Sequence, residues 1–156
     1  MSADVLTTVN DELATLLIPI NGKQLVLPNV TVAEIIPYVE PEDDKGELAD
    51  WYLGRIQWRG IDVPVVSFEA INEQPFVSQS DSRRIAVLNT LVNDDQLPFC
   101  GLVAESVPRL MRIQPSDITN DDTESGPAEL GHVILNDEQA IIPNIDFIQQ
   151  QVLALL

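Results

Sequence analysis

The same series of short segments occurs twice in this chain. This duplication constrains the fold more than any other feature of the sequence. Residues 53–68, LGRIQWRGIDVPVVSF, align with residues 130–147, LGHVILNDEQAIIPNIDF. Both stretches have Leu-Gly, an apolar strand, a polar turn, a strand that contains Pro, and a closing Phe. Upstream, residues 27–41, LPNVTVAEIIPYVEP, resemble residues 99–115, FCGLVAESVPRLMRIQP, and each follows a predicted hairpin. The chain is therefore predicted to form the same kind of structural unit twice.

Each copy supplies about five short strands, which is enough for a small closed β-barrel that hides its strand edges. We predict an all-β fold of two five-stranded barrels packed together, with a short C-terminal helix in QQQVLALL, residues 149–156. Residues 1–15 are polar and mixed and are predicted to form an N-terminal arm. Residues 16–156 are predicted to form the two-barrel domain, with the crossover between the barrels near residues 72–84.

Turn signals and acidic runs separate the strands. Residues 21–22, 93–96 and 136–137 are rich in Asn, Asp and Gly between apolar runs, which predicts hairpin turns. Residues 40–51 and 114–129 are acidic and poor in strand-forming residues, so we expect surface loops there.

The charge of the chain limits its partners. The net charge is −17, and the eight Lys and Arg residues are scattered rather than gathered into a patch. Because such a protein repels phosphate groups, we predict no nucleic-acid partner and no direct membrane binding. One cysteine and an N-terminus without a basic, apolar targeting signal predict a cytoplasmic protein.

Little catalytic chemistry can be assembled from these residues. His132 is the only histidine and lies in a strand-like run, and the sequence has no GxSxG, phosphate-loop or Cys/His metal-ligand spacing. Cys100 begins an apolar strand and is predicted to be a buried, inert thiol. We therefore predict no enzymatic activity, no cofactor and no metal. Two alternatives stay open: a small hydrolase that uses paired carboxylates, and a regulatory β-barrel module that holds a small ligand between the barrels.

The predicted hairpin at residues 53–71 has Trp58, Arg59 and Gly60 at its tip. Gly60 suits the positive φ of a tight turn, but a turn alone would accept Asn-Gly, so Trp58 and Arg59 require a second explanation. Trp and Arg are enriched at binding hot spots, and an Arg on a stiff turn offers five hydrogen-bond donors. The structural alternatives are that Trp58 closes a barrel end and that Arg59 is a solvated turn residue.

Four motifs resemble the chemotaxis coupling protein (CheW) family, whose domain also occurs at the end of CheA histidine kinases. They are VAEIIPY at residues 32–38, YLGRIQWRG and VPVVSF within residues 52–68, CGLVAESVPRLMRI at residues 100–113, and IIPNIDFI at residues 141–148. The resemblance implies two five-stranded barrels with a groove between them, no catalysis, and a scaffold that joins the cytoplasmic tip of a chemoreceptor to a CheA-type histidine kinase. Other CheW-like proteins are further implied partners. The QWRG and VPVVSFE pattern resembles the branch that serves type IV pilus (twitching) chemosensory systems.

The resemblance also implies five residues that contact the receptor or the kinase: Arg59, Trp58, Gly54, Val32 and Glu34. Arg59 matches the Arg that faces the receptor in the family, and Gly54 matches a Gly that leaves room for a partner. Each position also has a structural explanation. Gly54 fits a bulge or a tight strand entry, Val32 fits the core, and Glu34 fits an ordinary exposed charge.

Overall fold

The computed structural model describes residues 12–42, 49–74, 81–91 and 95–156. Most of the predicted arm, part of the first acidic loop, part of the crossover and part of the predicted turn at residues 93–96 lie outside the described residues.

The described residues form eleven strands and two α-helices. The strands are β1 (Leu13–Ile20), β2 (Lys23–Pro28), β3 (Val32–Pro37), β4 (Tyr52–Trp58), β5 (Ile61–Val66), β6 (Arg84–Asn89), β7 (Phe99–Ala104), β8 (Arg109–Ile113), β9 (Ile118–Asp121), β10 (Glu129–Leu135) and β11 (Glu138–Pro143). Helix α1 covers Phe68–Ile71, and helix α2 covers Ile145–Leu153. The all-β class and the short C-terminal helix are confirmed.

The strands form two sheets that exchange hairpins. The six-stranded sheet has the order β8-β1-β2-β11-β10-β9, and the five-stranded sheet has the order β3-β6-β7-β5-β4. The first hairpin of the chain, β1 and β2, therefore lies among strands of the second copy, whereas β6 and β7 lie among strands of the first copy. The duplication holds in the order of elements, but neither copy completes a sheet without the other.

One parallel strand pair joins each exchanged hairpin to its host sheet. Leu25 of β2 lies opposite Ile141 of β11, and Val65 of β5 lies opposite Gly101 of β7. Every other strand pair among the described residues is antiparallel. The two sheets are thus built by the same scheme, which supports the duplication seen in the sequence.

The five-stranded sheet is closed by a bridge between its two edges. Glu42, which follows β3, exchanges backbone hydrogen bonds of 2.8 and 2.9 Å with Arg55 of β4. Because β3 and β4 are the outer strands of this sheet, the bridge brings its edges together as a barrel. We call this unit the five-stranded barrel.

Three apolar clusters form the core, and one of them joins the two sheets. The largest draws residues from both sheets and from both helices, and we call it the inter-sheet core. It contains Ile18, Ile20, Leu25, Leu27, Val66, Phe68, Ile71, Ala86, Leu88, Leu97, Cys100, Leu102, Ala104, Ala128, Ile141, Ile145, Ile148 and Val152. The barrel core of the five-stranded barrel contains Ile56, Trp58, Val63, Val65, Ile85, Val87 and Val103. The third cluster contains Leu17, Val26, Ile113, Val133, Leu135 and Ala140 of the six-stranded sheet.

The exchanged hairpins are buried on both faces. In β6, Val87 belongs to the barrel core while its neighbour Leu88 belongs to the inter-sheet core. In β7, Val103 and Leu102 divide in the same way. Successive strand residues face opposite sides, so both sides of such a strand must be apolar. This explains the nearly continuous apolar runs in these hairpins.

Three local predictions need correction. The apolar run LLIPI predicts a strand over residues 16–20, but β1 begins three residues earlier, at Leu13, because Leu13 pairs with Ile113 of β8. The predicted acidic loop at residues 114–129 contains β9, whose β-branched Ile118 lies opposite Leu135 of β10. The six-stranded sheet therefore has one strand more than predicted.

The third correction concerns the end of the hairpin that begins at residue 53. Residues 61–71 are not one strand, because β5 ends at Val66 and α1 begins at Phe68. The Ser67 hydroxyl caps this helix by accepting a hydrogen bond of 3.2 Å from the Ala70 N–H. Phe68 is then fully buried in the inter-sheet core.

A buried carboxylate ties the end of the first copy to the second. Asn72 follows α1, and its side-chain amide donates a 2.6 Å hydrogen bond to Glu129 of β10. Glu129 also accepts a bond of 2.9 Å from the Gly126 N–H and lies 2.6 Å from His132 Nε2. In return, the Ala128 N–H donates to the Asn72 side-chain oxygen at 2.9 Å. Buried polar groups joined in this way are costly to break one at a time.

Replacing Glu129 with Gln is expected to lower the free energy of unfolding by about 1–3 kcal/mol at neutral pH. Gln has one acceptor oxygen and must turn its NH2 group either toward the Asn72 donor or toward the Gly126 and His132 donors. Burial raises the pKa of Glu129, but hydrogen bonds from Gly126, Asn72 and His132 outweigh it, so its pKa lies below the ordinary value of 4.5. A carboxylate with a lowered pKa stabilises the fold above the unfolded-state pKa and loses this effect as pH falls through the folded-state pKa.

The stability difference between wild type and Glu129→Gln should therefore shrink as the pH falls below the ordinary value of 4.5. Urea unfolding at a series of pH values measures it, with the exposed Glu124→Gln as the matched control. A difference that stays constant down to strongly acidic pH would contradict this account of Glu129.

Candidate functional site

The turn between β4 and β5 holds an arginine in an unusual backbone conformation. Arg59 and Gly60 have φ angles of 50° and 77°, which fit the two left-handed positions of a type I′ turn. This conformation is easy for Gly60 but unfavourable for Arg59 by about 1–2 kcal/mol. The turn therefore does not explain the choice of Arg. The corresponding turn of the second copy has Asn136 and Asp137, residue types that tolerate this conformation better.

Trp58 anchors the tip in the barrel core. Trp58 is only 7% exposed. Its ring packs edge-to-face against the ring of Phe99 on β7, with the two ring centroids 4.7 Å apart. The indole Nε1–H donates a 2.9 Å hydrogen bond to Oε1 of Glu34 on β3. A buried indole N–H needs such an acceptor, so Glu34 completes the packing of Trp58.

Arg59 lies over Trp58 and reaches the same carboxylate. Its guanidinium carbon is 4.8 Å from the centre of the Trp58 ring, and its Nη2 lies 3.1 Å from Glu34 Oε1. The side chains of Arg59 and Glu34 are 68% and 40% exposed. We call Glu34, Trp58 and Arg59 the tip cluster: one carboxylate oxygen accepts from both a buried indole and an exposed guanidinium.

The other two predicted contact residues lie apart from the tip cluster. Val32 is on β3 but is half-buried and packs against the inter-sheet core. Gly54 is buried at the start of β4, four residues before Trp58, which is about 13 Å at the usual strand rise. The strand register shifts at Gly54, and its φ is 122°, so the bulge predicted as its structural alternative is present. Partner contacts at both positions stay predictions.

Two aromatic contacts of the five-stranded barrel were not identified from the sequence. Phe99 supports the Trp58 ring, and Tyr38 carries Arg83 over its ring at 3.8 Å. Burial, followed by the neighbouring Glu40, raises the pKa of Tyr38. The first contact joins β4 to β7, and the second joins the residues next to β3 and β6. No local sequence signal reports contacts across a barrel.

The space between the two sheets is a packed core rather than an open channel. The inter-sheet core fills it, and a cavity of about 550 Å³ lies at its helical side. Trp51, Ile71, Glu73 and Phe147 are among the residues that line this cavity. Among the described residues, the space between the sheets is therefore closed by side chains, and the depression beside α1 and α2 lies at its surface.

The candidate catalytic side chains have structural roles. His132 is bonded to buried Glu129, and burial raises the pKa of the Cys100 thiol to about 12. A thiol with such a pKa is a poor nucleophile. Across the residues that the structure describes, no group of three or more His, Cys, Asp or Glu side chains is placed to hold a metal ion.

Helix α2 has nine residues, whereas a helix that crosses a bilayer needs about 20. No helix in the described parts of the chain is long and apolar enough to span a membrane.

The fold and the site define the class of the protein: an all-β protein whose two sheets exchange hairpins around a shared apolar core and whose β4–β5 turn exposes an arginine. The profile of the CheW-like domain family matches residues 14–152. The chain therefore belongs to the CheW-like domain family, as its motifs predicted.

Among solved structures, the chain is similar to the scaffolding protein TtCheW from Thermoanaerobacter tengcongensis, with a TM-score of 0.73 and 18% sequence identity. The similarity covers 87% of this chain and 86% of that one. At this identity the comparison supports the fold. No curated protein shows significant sequence similarity to the chain.

The two repeat-related glycines allow a matched test of the bulge. Gly54→Ala is expected to lower the free energy of unfolding by about 1–3 kcal/mol, because a φ of 122° strains any residue with a Cβ. Gly131, in the matching Leu-Gly pair, has open space around a built Cβ and an ordinary φ. Gly131→Ala should therefore change stability by at most about 1 kcal/mol in either direction. Equal effects of the two substitutions in urea unfolding would contradict the role assigned to Gly54.

Proposed function

We propose that this protein is a non-enzymatic scaffold that couples chemoreceptors to a CheA-type histidine kinase. The observation that carries the proposal is the tip cluster, which holds an exposed arginine in a fixed position on the five-stranded barrel. Membership of the CheW-like family supports the class of function. The receptor contact at Arg59 rests on the match between this residue and the receptor-facing Arg of the family.

The geometry suits Arg59 for binding a carboxylate or a carbonyl of the receptor. Its backbone is held in a two-residue turn, and its side chain is held between the Trp58 ring and Glu34. An arginine restrained in this way loses less conformational entropy when a partner binds. A guanidinium has five N–H donors, and the hydrogen bond to Glu34 uses one of them.

The charge of the chain gives this position a further effect. With a net charge of −17, most of the surface repels an acidic partner. An exposed arginine supported by an aromatic ring is a local point of attraction on such a surface. Glu34 reduces that attraction at a distance, so a partner gains most from Arg59 only when it makes close contact.

The cellular setting follows from the same proposal. The partners are the cytoplasmic tip of a chemoreceptor, a CheA-type kinase and other CheW-like proteins, and the scaffold works in the cytoplasm where these meet. The QWRG and VPVVSFE resemblance favours a type IV pilus (twitching) system.

The alternatives left open by the sequence gain no support from the described residues. A regulatory module that holds a small ligand between the barrels needs an enclosed cavity there, but buried apolar side chains fill the space between the two sheets. A hydrolase with paired carboxylates needs an acid whose pKa is raised by burial. Glu40, Glu42 and Asp62 line one cleft but are all exposed, and the hydrogen bonds of buried Glu129 lower its pKa.

Arg59→Glu is expected to weaken binding of a soluble receptor-tip fragment at least about tenfold, since it replaces a donor by a repelled carboxylate. The free energy of unfolding should change by about 0.5 kcal/mol or less, because Arg59 is exposed. Isothermal titration calorimetry measures the binding, and urea unfolding measures the stability.

Arg112→Glu is the matched control: it reverses the charge of an arginine that is also exposed, on β8, and that pairs loosely with Glu12 at 3.7 Å. It should bind the fragment nearly as wild type does. If Arg59→Glu and Arg112→Glu bind equally well, the receptor does not use the tip cluster.

A further inference from the structure

The two copies of the chain place equivalent residues at two hairpin tips. Glu34 of β3 lies opposite Val87. Val87 is on β6, the first strand of one exchanged hairpin, and its side chain belongs to the barrel core. Arg109 of β8 lies opposite Leu17. Leu17 is on β1, the first strand of the other exchanged hairpin, and its side chain belongs to the core of the six-stranded sheet. Positions 34 and 109 are therefore equivalent in the duplicated fold.

The turns beside them are equivalent as well. Trp58 and Ile61 form the last strand pair before one turn, and Leu135 and Glu138 form the last pair before the other. The turn φ angles are 50° and 77° in the first copy and 47° and 72° in the second. The second tip, which we define as Arg109 and residues 135–138, thus has nearly the same backbone shape as the first.

Each tip carries an ion pair between the neighbouring strand and the hairpin, but the polarity is reversed. In the first copy the strand supplies the acid Glu34 and the turn supplies the base Arg59, 3.1 Å apart. In the second copy the strand supplies the base Arg109 and the hairpin supplies the acid Glu138, 2.5 Å apart. The exposed fractions are similar, at 68% and 40% for Arg59 and Glu34 and at 55% and 38% for Arg109 and Glu138.

Exposed ion pairs contribute little to stability, so stability does not account for this reversal. Its clearest physical effect is on recognition. A partner that recognises the backbone shape of the first tip encounters nearly the same backbone shape at the second tip. A carboxylate placed to bind Arg59 would there face Asp137, which is exposed, and Glu138, and like charges brought together in an interface are strongly unfavourable.

We propose that Arg109 and Glu138 are specificity determinants that keep an acidic receptor segment off the second tip and so fix one docking orientation of the scaffold. This inference rests on the proposed function, because it takes the tip cluster as the receptor site. The second tip then has nearly the same backbone as the receptor site, but its reversed ion pair prevents the receptor from binding there.

Site-specific photo-crosslinking tests the inference with single-cysteine tags. Asn136→Cys reports on the second tip, and Asp62→Cys, on β5 beside the first tip, reports on the first. The native Cys100 is fully buried, with its pKa raised to about 12, so it does not take up the tag. Both tagged proteins are mixed with the receptor-tip fragment in the native background and in the charge-reversed background Arg109→Glu with Glu138→Arg.

In the native background, we expect cross-linking at residue 62 and little at residue 136. Charge reversal at the second tip should raise cross-linking at residue 136 at least about fivefold, while residue 62 is unchanged. The neutral variant Arg109→Gln with Glu138→Gln should give a smaller increase in cross-linking at residue 136. It serves as a second test in case the reversed side chains do not form an ion pair. Melting curves of both variants confirm that they fold.

Unchanged cross-linking at residue 136 in both variants, with normal cross-linking at residue 62, would overturn the inference and leave the proposed function standing. Equal cross-linking at both tips of the native protein would overturn it too. If residue 62 gives no cross-linking in the native background, the proposed function itself fails.

Discussion

The burial of both faces of the exchanged hairpins is the constraint on which the rest of this structure depends. Each hairpin gives alternate side chains to its host sheet and to the inter-sheet core. Removing one hairpin would open a sheet and expose the shared core at once. The two copies therefore fold as one body, and the two hairpin tips are held at fixed positions on it.

Within this body, Trp58 connects stability to the surface. Its ring fills the end of the barrel core, its N–H fixes Glu34, and its face supports Arg59. The sequence left a choice between a packing role and a contact role for Trp58. The structure shows the packing role directly, and the same contacts place Arg59 where a partner can reach it.

Much of the fold follows from the sequence. Alternating apolar segments and turn signals predict the strands around Arg59 and Gly60, and the matching motifs predict the duplication and the family. The exchange of hairpins was not predicted, because strand partners far apart in the chain leave no mark on local periodicity. The apolar runs around Leu88 and Leu102 did carry a signal, since strands buried on both faces lack alternation.

The details that depend on side-chain contacts were less accessible. Ile118 was assigned to a loop because acidic neighbours mask a four-residue edge strand. Glu129 looked like one more surface charge, although Asn72, more than fifty residues earlier, makes its burial possible. Of the five predicted contact residues, the structure brings together Glu34, Trp58 and Arg59. The hairpin tip indicated Trp58 and Arg59, whereas Glu34 was named only through the family resemblance.

The most direct test of the account is an NMR titration of isotope-labelled protein with the receptor-tip fragment, observed at the Trp58 indole N–H. This proton is bonded to Glu34, the same carboxylate that holds Arg59, so receptor binding at Arg59 must change its environment. The account predicts a saturable shift of this signal together with the Arg59 and Gly60 amides. A fragment that binds while these three signals stay unchanged would contradict it.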